Sequence, residues 1–131
     1  MQVVIPIAGN GKRMAQTHPQ GPKQLIPVAG QPLVEYTLAR LPSEVDELVL
    51  IGGGPHEQHI REYFGSEHGG RRVTYVRQPE QRGLGHAVQQ AQSVVRDRFL
   101  VILPDDLYAA NDLQAMVRQS DPAMLAKRVE H

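Results

Sequence analysis

QVVIPIAGNGKR, running from Gln2 to Arg13, is the stretch that decides the fold. Its first part, Gln2 to Ala8, is almost continuously apolar, the pattern of a strand buried on both faces of a parallel sheet. Pro6 fits less well, because proline cannot donate to a ladder and belongs at edges or strand ends. At Gly9 the chain changes character, and residues 9–31 carry too many glycines and prolines for a helix. Pro32 then suits the first turn of a helix whose stripe is Leu33, Val34, Thr37, Leu38 and Leu41. Glu47 to Ile51 predicts a second strand, stopped by Gly52, Gly53 and Gly54. Pro55 opens a second helix, His56 to Phe64, with Gly65 as its cap. Val73 to Val76 predicts a third strand. Leu84, Ala87, Val88, Ala91, Val94 and Val95 form a helical stripe. Arg98 to Leu103 predicts a fourth strand, with a weaker helix near Asp112 to Gln119. A fifth strand is expected over Ala123 to Val129.

Strand and helix alternate throughout, which predicts a Rossmann-like, doubly wound α/β fold with a mostly parallel sheet. Ligands of such sheets bind outside the carboxyl ends of the strands. Three segments rich in chemistry fall at those ends: 9–23 after strand one, 78–86 after strand three, and 104–106 after strand four.

Composition narrows the function classes. The 131 residues carry 14 Lys+Arg against 14 Asp+Glu. A balanced charge argues against a nucleic-acid or membrane surface, which needs a basic excess. The absence of cysteine excludes disulfides and thiolate metal sites. The apolar run Val3 to Ala8 is too short for a signal-peptide core or a membrane span, so a cytoplasmic location is expected. The six histidines form no convincing metal set. His56 and His59 lie near Glu57 and Glu62, but a solvated helix face is the better reading without a third zinc ligand. Arg71 and Arg72 read as a strand-edge feature. Only three lysines are present, and two of them, Lys12 and Lys23, lie in the Gly/Pro-rich segment.

That segment suits phosphate binding. Gly9 and Gly11 let the backbone approach a ligand closely, and successive amides can cradle phosphate oxygens. Lys12, Arg13 and Lys23 add positive charge, arginine as a bidentate fork and lysine as a point charge. Prolines at 19, 22 and 27 stiffen the chain around Lys23, and residues 25–28 (LIPV) read as too apolar to be exposed. The loop is neither a dinucleotide fingerprint, since Met14 replaces the third glycine, nor a P-loop, since GK[ST] is lacking.

Gly9-x-Gly11-x-Arg13, then Pro22-Lys23, then LIPVAGQPLVEY (Leu25 to Tyr36) resembles the signature of the sugar-phosphate nucleotidylyltransferases. GLGHAV (Gly83 to Val88) followed by LPDD (Leu103 to Asp106) is similar in particular to the bacterial UTP–glucose-1-phosphate uridylyltransferases. The resemblance implies roles. Ala8, Gly9, Asn10, Gly11 and Lys12 would line the nucleotide, while Arg13 would hold the triphosphate and the leaving pyrophosphate. Lys23 would neutralise the α-phosphoryl group. Gln78 would read the base edge with an amide that offers both donor and acceptor. Gly83 would let the backbone lie beside the base, and Gly85 would open the following helix. His86 would face the nucleotide or cap that helix. Asp105 would bind Mg²⁺, with Asp106 as a helix cap or a supporting group.

Departures are Lys12 where Thr or Ser is usual, Gln16 where proline is common, and Gln31 where lysine is frequent. The expected reaction is nucleotidyl transfer from an NTP, most simply UTP, to a sugar 1-phosphate such as glucose 1-phosphate. Residues 1–131 would be the nucleotide-binding part of the domain, stopping before the sugar-binding part. Partners are the NTP and the sugar phosphate, with neither nucleic acid nor membrane, and self-association stays open. The alternatives are a dTTP, GTP or CTP enzyme, or a non-catalytic nucleotide-binding fragment or regulatory module.

Overall fold

The computed structural model describes residues 1–7, 23–80 and 82–124. β1 (Gln2–Pro6) leads to a 3-10 turn (Lys23–Leu25), a hairpin of β2 (Pro27–Val28) and β3 (Gln31–Pro32), and α1 (Leu33–Leu38). β4 (Glu47–Gly52), α2 (Glu57–Phe64), β5 (Glu67–His68) and β6 (Arg71–Arg77) follow. Then come α3 (Leu84–Gln90), a second 3-10 turn (Ala91–Ser93), β7 (Phe99–Val101) and α4 (Ala110–Val117).

The main sheet has the order β5-β6-β4-β1-β7. Every pairing is parallel except that of β5 with β6. From β1 the chain steps outward to β4 and β6, then returns to lay β7 on the other side of β1. The winding therefore reverses between β1 and β7, as in a doubly wound fold.

Side-chain alternation builds two layers from the same strands. Val3, Ile5, Ile7, Leu48, Leu50, Leu100 and Ile102 face α1, α2 and α4, where Val34, Leu38, Ile60, Phe64, Leu113 and Val117 meet them. Val4, Val49 and Ile51 face Ala87 and Ala91 of the α3 segment. Both faces of β1 and β4 are buried, which is why their sequences read as unbroken apolar runs.

Several boundaries differ from expectation, each for a physical reason. Pro6 closes β1 opposite Ile51. The Ile7 amide bonds β4 (Ile51 O, 2.9 Å), so by alternation the missing donor of Pro6 points toward β7. Pairing with β7 has already ended at Val4 and Val101. The second helix begins at Glu57, leaving Pro55 in the preceding turn. The α3 stripe ends early, because Gln2 claims the chain beyond it: its Nε2 donates to Val94 O (2.9 Å) and its Oε1 accepts from the Arg96 amide (3.0 Å). Residues 25–28 are not all buried. Val28 is 50% exposed at the hairpin, whose carbonyls at Val28 and Ala29 accept the Tyr36 hydroxyl at 2.8 and 2.9 Å. The β2–β3 hairpin and β5 were not anticipated. The expected fifth strand falls mostly outside the described residues.

A buried carboxylate anchors the amino ends of the strands, opposite the candidate site. Glu47 is 2% exposed. Its Oε1 accepts from Arg96 (2.8 Å) and Arg72 (3.0 Å), and its Oε2 from the Thr74 hydroxyl (2.7 Å). Burial pushes this carboxyl up, but the Thr74, Arg96 and Arg72 donors outweigh it and bring it down to about 2 from 4.5. A carboxyl held lower in the folded state stabilises above its unfolded value and loses that contribution as pH falls toward the folded one. Urea unfolding should therefore show stability dropping between about pH 4.5 and pH 2. Glu47→Gln should cost on the order of 2 kcal/mol at pH 7, after allowing for solvent around the two guanidinium groups, and should flatten that acid limb.

Candidate functional site

The carboxyl ends of four parallel strands lie side by side in the order β6, β4, β1, β7. β6 delivers Gln78, β4 delivers Gly52 to Gly54, β1 delivers Ile7 and the segment that follows it, and β7 delivers Pro104 to Asp106. Three strand spacings separate the first from the last, roughly 14 Å.

At the β6 end, Gln78 is a polar residue only 5% exposed. Its amide N–H donates to Gly52 O at 2.7 Å, continuing the ladder. Gly53 (φ +144°) lies so close that a Cβ there would stand 2.7 Å from the Gln78 carbonyl oxygen. The side chain of Gln78 turns toward the start of α3: its Nε2 lies 2.9 Å from His86 Nδ1 and 3.4 Å from Gly83 O. Gly83 caps α3 with φ +94°, a conformation that favours glycine. Gly85 has open space on its Cβ side. His86 does not cap the helix, since no side chain does so. Its Nε2 lies 3.3 Å from the Gln90 amide. The expected quartet Gln78, Gly83, Gly85 and His86 is thus one continuous feature, with Leu84 half-exposed beside it.

At the β7 end, Asp105 is exposed on the turn beyond Ile102. Asp106 does not cap α4, whose N-terminal residue Ala109 carries no side-chain cap. Instead its backbone and side chain help tie down the turn. Thr37 of α1, fully buried, donates its hydroxyl to Asp106 O (3.3 Å), and Arg40 donates to Tyr108 O (2.9 Å). The Tyr108 hydroxyl accepts from the Leu103 amide (3.0 Å) and faces the Asp106 carboxylate at 3.5 Å. Burial pushes the Tyr108 phenol up from its ordinary value.

Between the two ends, Ala8, Gly9, Asn10, Gly11, Lys12 and Arg13 lie outside the described residues. Lys23 opens the 3-10 turn, which packs against α1. Gln24 beside it is buried, and its Oε1 finds no partner among the described residues. Sequence reasoning missed Thr37, Arg40 and Tyr108, which carry no motif. It read Gly53 only as a strand stop, although the Gly52-Gly53-Gly54 run was a visible signal of close backbone approach.

Asp105 suits a hard cation in one respect. It offers an exposed carboxylate, and Mg²⁺ typically binds through one or two carboxylates together with substrate phosphates and water. Among the described residues, no group of three or more acidic or histidine side chains forms a complete cage.

The fold and this row of strand-end groups define a doubly wound α/β protein with a topological switch point beside β1, the place where sheets of this kind take their ligands. The chain belongs to the nucleotidyl transferase family, whose sequence profile matches residues 2–127. It is 31% identical over 114 residues to the bifunctional protein GlmU of Methanococcus vannielii, covering 87% of this chain and 27% of that protein. It is 28% identical over 134 residues to the UTP–glucose-1-phosphate uridylyltransferase AglF of Haloferax volcanii, covering 99% and 55%. The solved UTP-bound UGPase of Acinetobacter baumannii superposes with a TM-score of 0.68 at 26% identity, covering 88% of this chain and 50% of that one. The chain thus spans from about a quarter to about half the length of these proteins.

The Gly53 contact makes a local test. Gly53→Ala should cost about 2 kcal/mol or more in urea unfolding, because the new Cβ meets backbone at a strained φ. Gly52→Ala, with nothing within 4 Å of its Cβ, should stay within about 1 kcal/mol of the parent. Equal stabilities would contradict the close approach.

Proposed function

We propose that this chain is the nucleotide-binding part of a sugar-1-phosphate nucleotidylyltransferase that uses UTP, with glucose 1-phosphate as the acceptor. The observation that carries the reading is the row of strand ends. The Gln78 amide stands at the end of β6, residues 9–23 follow β1 in sequence, and Asp105, exposed and without a partner among the described residues, follows β7. A nucleoside triphosphate laid across that row brings its base to Gln78 and its phosphates toward β1 and Asp105. The uridylyltransferase relative and the UTP-bound structural neighbour support UTP over other nucleotides.

In the proposed reaction a phosphate oxygen of the sugar phosphate attacks the α-phosphorus in line. The bond to the β-phosphate oxygen breaks, and pyrophosphate leaves with that electron pair. The nucleophile is already ionised, so no general base is needed. Arg13 holds the triphosphate and the departing pyrophosphate, and Lys23 neutralises charge on the α-phosphoryl oxygens. Mg²⁺, held by Asp105, supplies further charge neutralisation to the phosphates when bound. Lys12 adds a cation to the loop of Ala8, Gly9, Asn10 and Gly11. The α1 clamp through Thr37, Arg40 and Tyr108 keeps the Asp105 turn in place.

Lys23→Ala, in the chain extended to the length of its relatives, should lower uridylyl transfer about 100-fold or more with folding intact. Pyrophosphate release with UTP and glucose 1-phosphate measures this, and unchanged turnover would refute the assignment. Titration of the 131-residue chain with UTP, GTP and Mg²⁺ addresses the second reading. UTP binding without turnover favours a nucleotide-binding module.

A further inference from the structure

The hairpin of β2 and β3 combines weak pairing with an unfavourable backbone. Its two pairs are Pro27 with Pro32 and Val28 with Gln31, and the prolines have no N–H to give. It forms a sheet of its own, and residues 27–30 are exposed. A two-stranded hairpin of this size is not held together in water by its own bonds. The two residues between the strands, Ala29 (φ 52°) and Gly30 (φ 99°), both lie at positive φ, as a type I′ turn requires. Asn-Gly is the favoured pair in such a turn, and alanine is a poor first member. Ala29 is the one non-glycine residue at positive φ among the described residues. Something outside the hairpin has to hold it there.

That hold is the Tyr36 hydroxyl, which donates to Val28 O at 2.8 Å and Ala29 O at 2.9 Å. These carbonyls belong to the peptide planes on either side of Ala29. One proton shared between them fixes both planes, and with them the φ and ψ of Ala29. The hairpin is in turn tied to Lys23. Only Ile26 separates β2 from the turn Lys23–Leu25, and that turn packs against both β3 and α1. We infer that Tyr36 is a positioning residue that acts through the hairpin to fix the turn from which Lys23 departs. This inference rests on the proposed role of Lys23 at the α-phosphoryl group. A loosened hairpin spreads the positions of the turn, and the cation then meets the transferring phosphoryl group only part of the time. UTP affinity draws on contacts along the whole row of strand ends, so the loss falls on kcat rather than KM.

A double-mutant cycle in the chain extended to the length of its relatives tests this, with pyrophosphate release from UTP and glucose 1-phosphate as the readout. Tyr36→Phe removes only the hydroxyl, and the exposed hairpin carbonyls can take water in its place. It should lower kcat about tenfold and leave KM for UTP within about twofold of the parent. In the Lys23→Ala background the same change should alter kcat by less than about twofold, because the group it positions is gone. Adding Ala29→Asn, which favours the turn by itself, should restore most of the activity lost in Tyr36→Phe. Ala29→Val disfavours the turn with Tyr36 intact and should also lower kcat, again without further effect in Lys23→Ala. Thermal unfolding identifies any variant that fails to fold, and the exposed Ala29→Val decides the matter if Tyr36→Phe is lost. A tenfold loss in both backgrounds, a loss confined to KM, or parental kcat in folded Tyr36→Phe or Ala29→Val overturns the positioning role while leaving Lys23 as assigned. So does a folded Tyr36→Phe/Ala29→Asn variant that regains nothing. Parental turnover in Lys23→Ala overturns the role of Lys23 and this inference together.

Discussion

β1 is the strand on which the remaining arrangement depends. Val3, Val4 and Ile5 are completely buried, because one face meets the α1, α2 and α4 layer and the other meets α3. It pairs with β4 over Gln2 to Pro6 and with β7 over Gln2 to Val4. A slip of one residue would send Val3 and Ile5 to the wrong layer, so packing on both faces sets its register. That register fixes where the carboxyl end lies, and the glycine-rich segment has to leave from there. The reversal of winding beside β1 opens the crevice in which strand-end groups converge without obstruction from a crossover. Structure at the opposite, amino end serves a different need. There Glu47, Gln2, Arg72 and Arg96 bind the strands and the segment after α3 together around a buried carboxylate, whereas the pairs at the carboxyl end, Arg77 with Glu57 (3.3 Å) and Arg82 with Glu80 (3.0 Å), leave both arginines exposed.

What the residues announced in advance follows from which signals are periodic. β1 and β4 were legible as unbroken apolar runs, and a run buried on two faces has few alternative readings. The helices were legible from their stripes, but their ends were not. α3 stops at Gln90 because Gln2 draws Val94 and Arg96, 92 and 94 residues further along the chain, into its own hydrogen bonds, and no local pattern encodes that demand. The two-residue strands β2, β3 and β5 are too short to have a period. The apolar LIPV run misled because Leu25 packs on the core while Val28 faces solvent at the hairpin.

The candidate site divides in the same way. Gln78, Gly83, Gly85, His86 and Asp105 were singled out through the family resemblance, and the fold brings the first four together. The groups that hold them were not. Thr37 looked like one more member of a helix stripe, yet its hydroxyl fastens the Asp106 backbone. Tyr108 is separated from every motif, yet it closes the turn on Leu103. A supporting residue needs only one donor or acceptor at the right point in space, and that requirement leaves no spacing to detect.

The two ends of the row are held by different means, and the difference suits the tasks proposed for them. The Gln78 end is fixed by backbone: a ladder bond to Gly52, a contact with Gly53 too close for a side chain, and a glycine cap at Gly83. Backbone restraint is stiff, and discrimination between bases depends on a donor or acceptor that does not adjust to the wrong partner. The Asp105 end is fixed by side chains reaching from α1 (Thr37) and the turn after it (Arg40), and α1 also packs against the turn that begins with Lys23. One short helix thus spans the cationic turn and the carboxylate turn, and a small displacement of it moves both together. On the proposed reading Lys23 and Asp105 meet the same phosphates, and a shared support keeps the two turns in one relative position while their distance from the Gln78 end can change. On that reading, selection of the base and alignment of the phosphates can be tuned separately.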